Sequence, residues 1–258
     1  EMNVLGILVG AILFGLGLAL TIKEDSPINQ IFSDLAQASY RIAGWVLTTL
    51  PLGLFAISYQ LAGQIDFSTV TALAQLAGVV FAATLFHGLV VLPFIAWWAA
   101  GLSPWKFFAA VSQPLVTALS TSSSAATLPL SMATAESKLG VDRAKCAFVL
   151  PLGATANMDG TALFEGIAAV FLAYMFGIDL STTGIIAIFL VAMLSSVGAP
   201  GIPSGSMAGM QMVMLAVGIP LEAIGLLLLI ERPLDTFRTA VNVEGDLVGC
   251  LVAKRFTQ

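Results

Sequence analysis

Glu231, Asp235, Arg238, Asn242 and Asp246 follow one another at intervals of 4, 3, 4 and 4 residues. That spacing lays all five along one face of an α-helix. The positions turned away from them, among them Leu234, Phe237, Val241, Leu247 and Val248, are mostly apolar, and Thr239 lies beside the stripe. A guanidinium such as Arg238 can hold a carboxylate through two parallel hydrogen bonds. Asp235 can take an ammonium group, while Asn242 and Asp246, one turn apart, present oxygens suited to a small hard cation. Apolar sequence lies on both sides of the stripe, Ile224 to Ile230 before it and Cys250 to Ala253 after it. An ionisable group in the middle of a membrane helix costs about 2.5–3.5 kcal/mol on the mildest scale, so it normally faces a cavity or a partner. A surface helix facing the cytoplasm is the plainer alternative, and the apolar flanks argue against it.

Further oxygens lie upstream. Asn157 and Asp159 interrupt an apolar run, and Gly153 and Gly160 ease local unwinding, which frees backbone carbonyls for a sodium ion. Ser122, Ser123 and Ser124 bring hydroxyls and amides to one loop, while Gly198, Gly201, Pro203 and Gly205 make another compact and deformable. Free amides at helix N-termini beside those loops could receive a carboxylate. Together these groups describe an amphoteric pocket: Arg238 for one carboxylate, tip amides for a second, and Asp235 for an amine. A small acidic amino acid carries all three. Glu165, one turn beyond Thr161 on the interrupted run, is a carboxylate in a setting where ionisation is costly.

The elements that position these residues are membrane helices. Of 258 residues 58% are hydrophobic and 10% charged, against roughly 25% charged in a soluble domain. No Asp, Glu, Lys or Arg occurs between Asp66 and Lys106, between Lys106 and Glu136, or between Asp179 and Glu222. A crossing needs about 20 apolar residues. The expected spans cover 3–22, a stretch from Pro27 to about Gly63 kinked at Pro51 and Gly53, and 69–100. After these come two arms around a Ser-rich tip (104–137), a run broken at Asn157–Gly160 (143–176), two arms around a Gly/Pro-rich tip (182–218), and a final helix (221–254). Arms of roughly 12–16 residues favour hairpins that enter and leave from one side. Non-helical backbone at membrane depth is tolerated only against protein or a watery cavity. Paired discontinuous segments of this kind point to a secondary-transporter binding site. The opening run Val4 to Leu20 lacks a basic leader and a cleavage site. It reads as an internal membrane helix, with the chain expected to be the C-terminal part of something longer.

Several classes of function find no support. A net charge of −5 without a basic run speaks against nucleic-acid binding. Cys146 and Cys250 have neither metal-ligand nor disulfide-framework spacing. His87, alone in an apolar run, is expected to be structural or lipid-facing, and without a histidine near the serines no hydrolase triad forms. A channel would present repeated rings of carbonyls or charges rather than one asymmetric pocket.

Four motifs carry a resemblance: SSSAATLP at Ser122–Pro129, LPLGATANMDGTALFEG at Leu150–Gly166, SSVGAPGIPSG at Ser195–Gly205, and LDTFRTAVNVEGD at Leu234–Asp246. In their order and length the chain resembles, from residue 1 to 255, the dicarboxylate/amino acid:cation symporter family. The resemblance implies an all-α membrane protein with two re-entrant helical hairpins and broken transmembrane helices. It implies a multi-pass position in the cell membrane and a homotrimer with no enzymatic activity and no cofactor beyond sodium as coupling ion. Residues 1–100 would form the last part of the scaffold and adjoining helices, and 101–258 the core transport domain. The implied function is symport of glutamate or aspartate with sodium, and with protons through Glu165, by elevator-type alternating access. A proton-coupled glutamate or C4-dicarboxylate symporter and a neutral amino acid carrier are the nearest alternatives.

By the same resemblance Arg238 holds the substrate side-chain carboxylate and Asp235 its amino group. Thr161, Thr239 and Asn242 complete the pocket, and the α-carboxylate is expected at Ser123, Ser124 and the second tip with Gly201 and Ile202. Asp246 with Asn157 matches one sodium site and Asp159 part of another. Backbone around Ser196, Val197 and Ala199 matches the hairpin closing a further sodium site. Gly153, Thr155, Met158 and Asn242 complete the candidate cation ligands. Three departures stand out. Family chains begin with further membrane helices, which hold some sodium ligands and trimer surface. Pro200 and Ser204 replace alanine and glycine of archaeal members at the second tip, which is the extracellular gate. Glu165 follows the animal pattern, where archaeal members carry glutamine.

Overall fold

A computed structural model describes residues 4–23, 26–49, 52–53, 55–56, 59, 66–197, 199, 201 and 203–256. Pro51, Gly63, Gly198, Pro200 and Ile202, singled out above, lie outside the described residues. Two compact units divide between Thr69 and Val70.

In the first unit α1 (Val4–Thr21) contains no charged residue, and α2 (Pro27–Thr48) opens on a proline. Proline costs nothing there, because the first N–H groups of a helix have no intrahelical partner. Near the end of the unit the Asp66 carboxylate accepts from Thr69 N at 2.9 Å and Ser68 Oγ at 2.8 Å. Hydrogen bonds from Thr69, and then Ser68, hold its carboxyl down at about 2.

The second unit holds the motifs. It begins with α3 (Phe67–Phe86), which passes through a wide turn at His87–Val91 into α4 (Leu92–Ala100) as one apolar run of 34 residues. Pro93 causes the wide turn: it has no N–H to give, and its ring crowds the preceding carbonyls. Leu92 N reaches His87 O, five residues back, instead. The buried stripe Leu73, Leu76, Val80, Thr84, Gly88, Leu92 and Ala96 follows helical spacing, while Val79, Phe86, Leu89, Phe94 and Trp97 are exposed. Large apolar side chains facing outward suit lipid and would be a liability in water.

Two helix–tip–helix units follow. The first is α5 (Pro104–Thr121) with α6 (Ser124–Ser137), and the second is α9 (Thr182–Val197) with α10 (Ser206–Val217). Partners within each unit pack on one another. Between them run α7 (Arg143–Ala156) and α8 (Asp159–Met175), one apolar run of 33 residues that unwinds only at 157 and 158. The last helix, α11 (Ile224–Phe256), is 33 residues long and unbroken despite Pro233.

Buried apolar side chains form two clusters. One joins α3, α8, α9 and α10 to the first half of α11 through Phe164, Leu172, Ile188, Met210, Met214 and Leu227. The other joins α4, α5, α6 and α7 to its second half through Phe107, Val111, Leu150, Leu247 and Leu251. Each cluster takes one helix–tip–helix unit and one half of the broken run. Both tips and the break therefore meet at the middle of α11, where the polar stripe lies. Among the described residues the chain is helical, with long and broken membrane-spanning helices.

Candidate functional site

All five residues of the stripe are buried; Arg238 is 1% exposed and Glu231 2%. A solvated surface helix is thereby excluded for α11. Arg238 Nη2 donates to Glu231 Oε1 at 2.9 Å and to Asp235 Oδ1 at 3.2 Å. The guanidinium lies over the Phe164 ring at 4.0 Å from the centroid, a contact worth about 0.5–2 kcal/mol. Its Nε and Nη1 are buried with no hydrogen-bond partner among the described residues. Buried donors without acceptors cost free energy, so each of these two nitrogens can still take an acceptor oxygen of a ligand. Arg232, half exposed, adds a longer contact to Asp235 Oδ2 at 3.4 Å.

The two tips close the site. At the first, Ser122 takes a left-handed conformation (φ 49°) to end α5, and Ser123 caps α6 by accepting from Ala126 N at 3.1 Å. Ser123 Oγ donates across to Gly201 O at 2.8 Å, and Ala125 N donates to the same oxygen at 3.2 Å. At the second tip Ser204 N donates to Asp235 Oδ2 at 3.0 Å and Ser204 Oγ to Glu231 Oε2 at 2.9 Å. Between tips and helices remains a cavity of about 10 Å³, bounded by Ser124, Met158, Thr161, Gly201, Asp235 and Asn242 among others, with Thr239 also on its wall. That is room for about one water.

Next to the pocket the break in the α7–α8 run is tied to α11. Asn157 Nδ2 donates to Asp246 Oδ1 at 3.1 Å and to Asn242 O at 3.4 Å. Asn242 Oδ1 accepts from Gly160 N at 2.7 Å, and its Nδ2 donates to Thr161 Oγ1 and Met158 Sδ, each at 3.2 Å. Gly153 has to be glycine: a Cβ there would strike the Asp246 carboxylate. The fold thus brings Gly153, Asn157, Asn242 and Asp246 together, an oxygen-rich donor set of the kind a small hard cation takes.

Asp159 points elsewhere. Its Oδ2 pairs with His87 Nε2 at 2.7 Å, so the histidine expected to be structural or lipid-facing sits against a candidate ion ligand. Both line a largely apolar cavity of about 790 Å³, with Asn157, Met158, Ser196 and Val197 also on its wall. Ser196 is buried and donates to Met193 O at 2.9 Å, and Ala199 is buried. Thr155 is exposed, with its hydroxyl on Leu152 O at 3.0 Å.

Glu165 is fully buried. Its Oε2 accepts from Ser195 Oγ at 2.6 Å, its Oε1 meets no partner among the described residues, and a Cβ on Gly209 would strike its carboxylate. Glu244, also buried, has an Oε1 without a partner among the described residues and lies under Gly88 of the wide turn.

Of the proposed substrate residues, Ser124, Thr161, Gly201, Asp235, Thr239 and Asn242 surround the small cavity. Arg238 stands behind Asp235, and Ser123 is committed to capping and to the other tip. Sequence reasoning placed Glu231 on the stripe without giving it a task, noted Ser204 only as a departure, and passed over Phe164 and Ser195. Glu231 was within reach of it, one helical turn before Asp235 and two before Arg238. The other three depend on contacts between distant segments.

The model of the sodium:dicarboxylate symporter family matches residues 1–256. Among curated proteins the chain is 38% identical over 261 residues to a putative sodium-dependent excitatory amino acid transporter, glt-4, of Caenorhabditis elegans, covering 100% of this chain and 52% of that protein. It is 37% identical to mouse excitatory amino acid transporter 3 (99% of this chain, 49% of that one). For mouse excitatory amino acid transporter 1 the identity is 36%, with 99% and 48% covered. The chain thus spans about half the length of the curated relatives it matches. The family is one of transporters rather than enzymes, and the apolar helices agree with a multi-pass protein of the cell membrane. With a match that runs nearly end to end, the chain belongs to the sodium:dicarboxylate symporter family.

Proposed function

We propose that the protein carries an acidic amino acid, glutamate or aspartate, across the membrane together with sodium ions. The observation that carries this reading is Arg238, a buried guanidinium held by the two carboxylates that meet the second tip, with Nε and Nη1 lacking an acceptor among the described residues. A neutral amino acid has no use for those nitrogens, and a plain dicarboxylate has none for Asp235. Glu231 and Asp235 are matched in charge by Arg238 and the half-exposed Arg232. An anionic substrate brings negative charge that this balance does not cover, so a cation entering with it lowers the cost, and Gly153, Asn157, Asn242 and Asp246 provide oxygens for one. The named activities of the similar transporters point the same way.

In this reading α5–α6 and α9–α10 are re-entrant hairpins, 101–258 is the transport core, 1–100 belongs to the scaffold and adjoining helices, and the assembly is a homotrimer. The core moves across the membrane as an elevator. Glu165 carries a proton with the substrate. Uptake of radiolabelled aspartate and glutamate into proteoliposomes, by protein expressed from its complete coding sequence, tests the proposal. Sodium and pH gradients are varied separately at fixed voltage. Uptake that ignores the sodium gradient defeats the sodium reading; uptake that ignores the pH gradient defeats the role of Glu165. If protons do couple, Glu165→Gln removes the response to pH while substrate still binds.

A further inference from the structure

Ser204 is one of two non-glycine residues with positive φ among the described residues, at 59°. A side chain with a Cβ is strained in that region, and here the strained turn accomplishes something definite. It aims the Ser204 amide at Asp235 Oδ2, 3.0 Å away, and its hydroxyl at Glu231 Oε2, 2.9 Å away. The other oxygen of each carboxylate holds Arg238 Nη2, at 3.2 Å from Asp235 and 2.9 Å from Glu231. Two carboxylates thus bridge one tip serine to one guanidinium, with all four residues buried. Hydrogen bonds to charged groups out of water are about twice as strong as neutral ones. The adjoining cavity is about 10 Å³, too small for an amino acid, several times the size of a water. An entering ligand therefore has to move the second tip, which among the described residues is tied to the first tip at Gly201 O and to α11 by Ser204.

We propose that Ser204 is a latch: its hydroxyl and amide clasp the acidic pair of α11 and keep the second tip on an empty pocket. An acidic amino acid binds once that clasp is open. The proposal rests on the substrate reading above for what enters, but not for the clasp itself. Ser204 acts through Glu231 and Asp235 and is a positioning residue. It explains why the tip carries serine in a conformation that favours glycine. Glycine would relieve the backbone and lose the hydroxyl.

Two substitutions separate these effects. Ser204→Ala removes the hydroxyl and keeps the strained backbone, whereas Ser204→Gly removes both. Protein expressed from its complete coding sequence is placed in nanodiscs with sodium and without amino acid. Hydrogen–deuterium exchange is then followed in the peptide covering 203–210. Both variants are expected to exchange about tenfold faster there, the effect of losing one charge-assisted hydrogen bond. The aspartate association rate should rise by about the same factor while dissociation stays unchanged, because the population able to bind grows. Equal exchange in wild type and Ser204→Ala overturns the latch. So does faster exchange in Ser204→Gly alone, which would trace the effect to the backbone. Slower association with faster dissociation in Ser204→Ala also overturns it, since that marks a lost substrate contact. If wild-type protein binds neither aspartate nor glutamate, the substrate reading fails, and the exchange rates alone then decide the latch.

Discussion

The two helix–tip–helix units share a layout, yet only the second ties its tip to buried charges. In α5–α6 the tip is closed from within: Ser122 turns the chain, Ser123 caps α6, and Thr127 bonds back to Ser123 O at 2.9 Å. In α9–α10 the backbone bonds within the tip, Met207 N to Ser204 O at 3.1 Å, but the tip's polar groups also reach outside it. Ser204 leans on Glu231 and Asp235, and Gly201 O accepts from Ser123 Oγ and Ala125 N of the other tip. A tip that bonds to itself keeps its shape whatever the pocket holds. A tip bonded to buried charges answers to whatever changes those charges. On the substrate reading proposed above, the first unit would serve as a wall and the second as the part that responds to ligand.

Removing the cation behind the second tip should do the most. Arg238→Cys leaves Glu231 and Asp235 buried without their partner, a loss of about 3–5 kcal/mol for a broken buried pair. Aspartate binding, measured by isothermal titration, should fall more than about a hundredfold, and serine or alanine should become substrates. Exchange should quicken at 203–206 and stay as it was at 122–127. Quickening at both tips alike would erase the contrast between them.

Asp246→Asn comes next and leaves both tips alone. It keeps the bond from Asn157 within reach and removes one negative charge from the oxygen-rich set. Half-saturation of aspartate binding should need about 10–100 times more sodium, because ligand and ion binding are linked. A sodium titration that overlays wild type would remove Asp246 from the ion site.

A smaller effect should follow from Ser123→Ala, which strips the cap from α6 and the hydroxyl from Gly201 O. Loss of an N-cap costs about 1 kcal/mol, to be read as a lower melting temperature in detergent. If instead it loosens only 203–206, the cap does not hold the first tip, and the second tip depends on the first. Phe164→Leu should do least. It removes the ring beneath Arg238 at a cost of about 0.5–1 kcal/mol, a severalfold weaker aspartate affinity with sodium dependence unchanged.

Much of this was legible in the chain itself. The 4, 3, 4, 4 spacing fixes a polar face on any α-helix, because the helix repeats every 3.6 residues. The charge-free stretches fix membrane burial, since no other environment accepts so much apolar surface. Two short apolar arms about a polar tip, twice, fix the broken architecture, because a chain in lipid cannot leave its backbone polar groups unpaired. His87 shows the limit of such reading. Its neighbours are apolar, and nothing local reveals Asp159, 72 residues away, at 2.7 Å.

Sequence alone thus determined which segments are helices, which helices break, and which face of the last one carries charge. Those are properties of period and composition, and they act over a few turns. Tertiary structure decided which polar groups answer one another: Ser204 with Glu231 and Asp235, Asn157 with Asp246, Ser195 with Glu165, Phe164 with Arg238. Such pairs depend on how two apolar clusters bring distant segments to one point along α11. A buried charge draws its energetic character from its partners there, not from its neighbours in the chain.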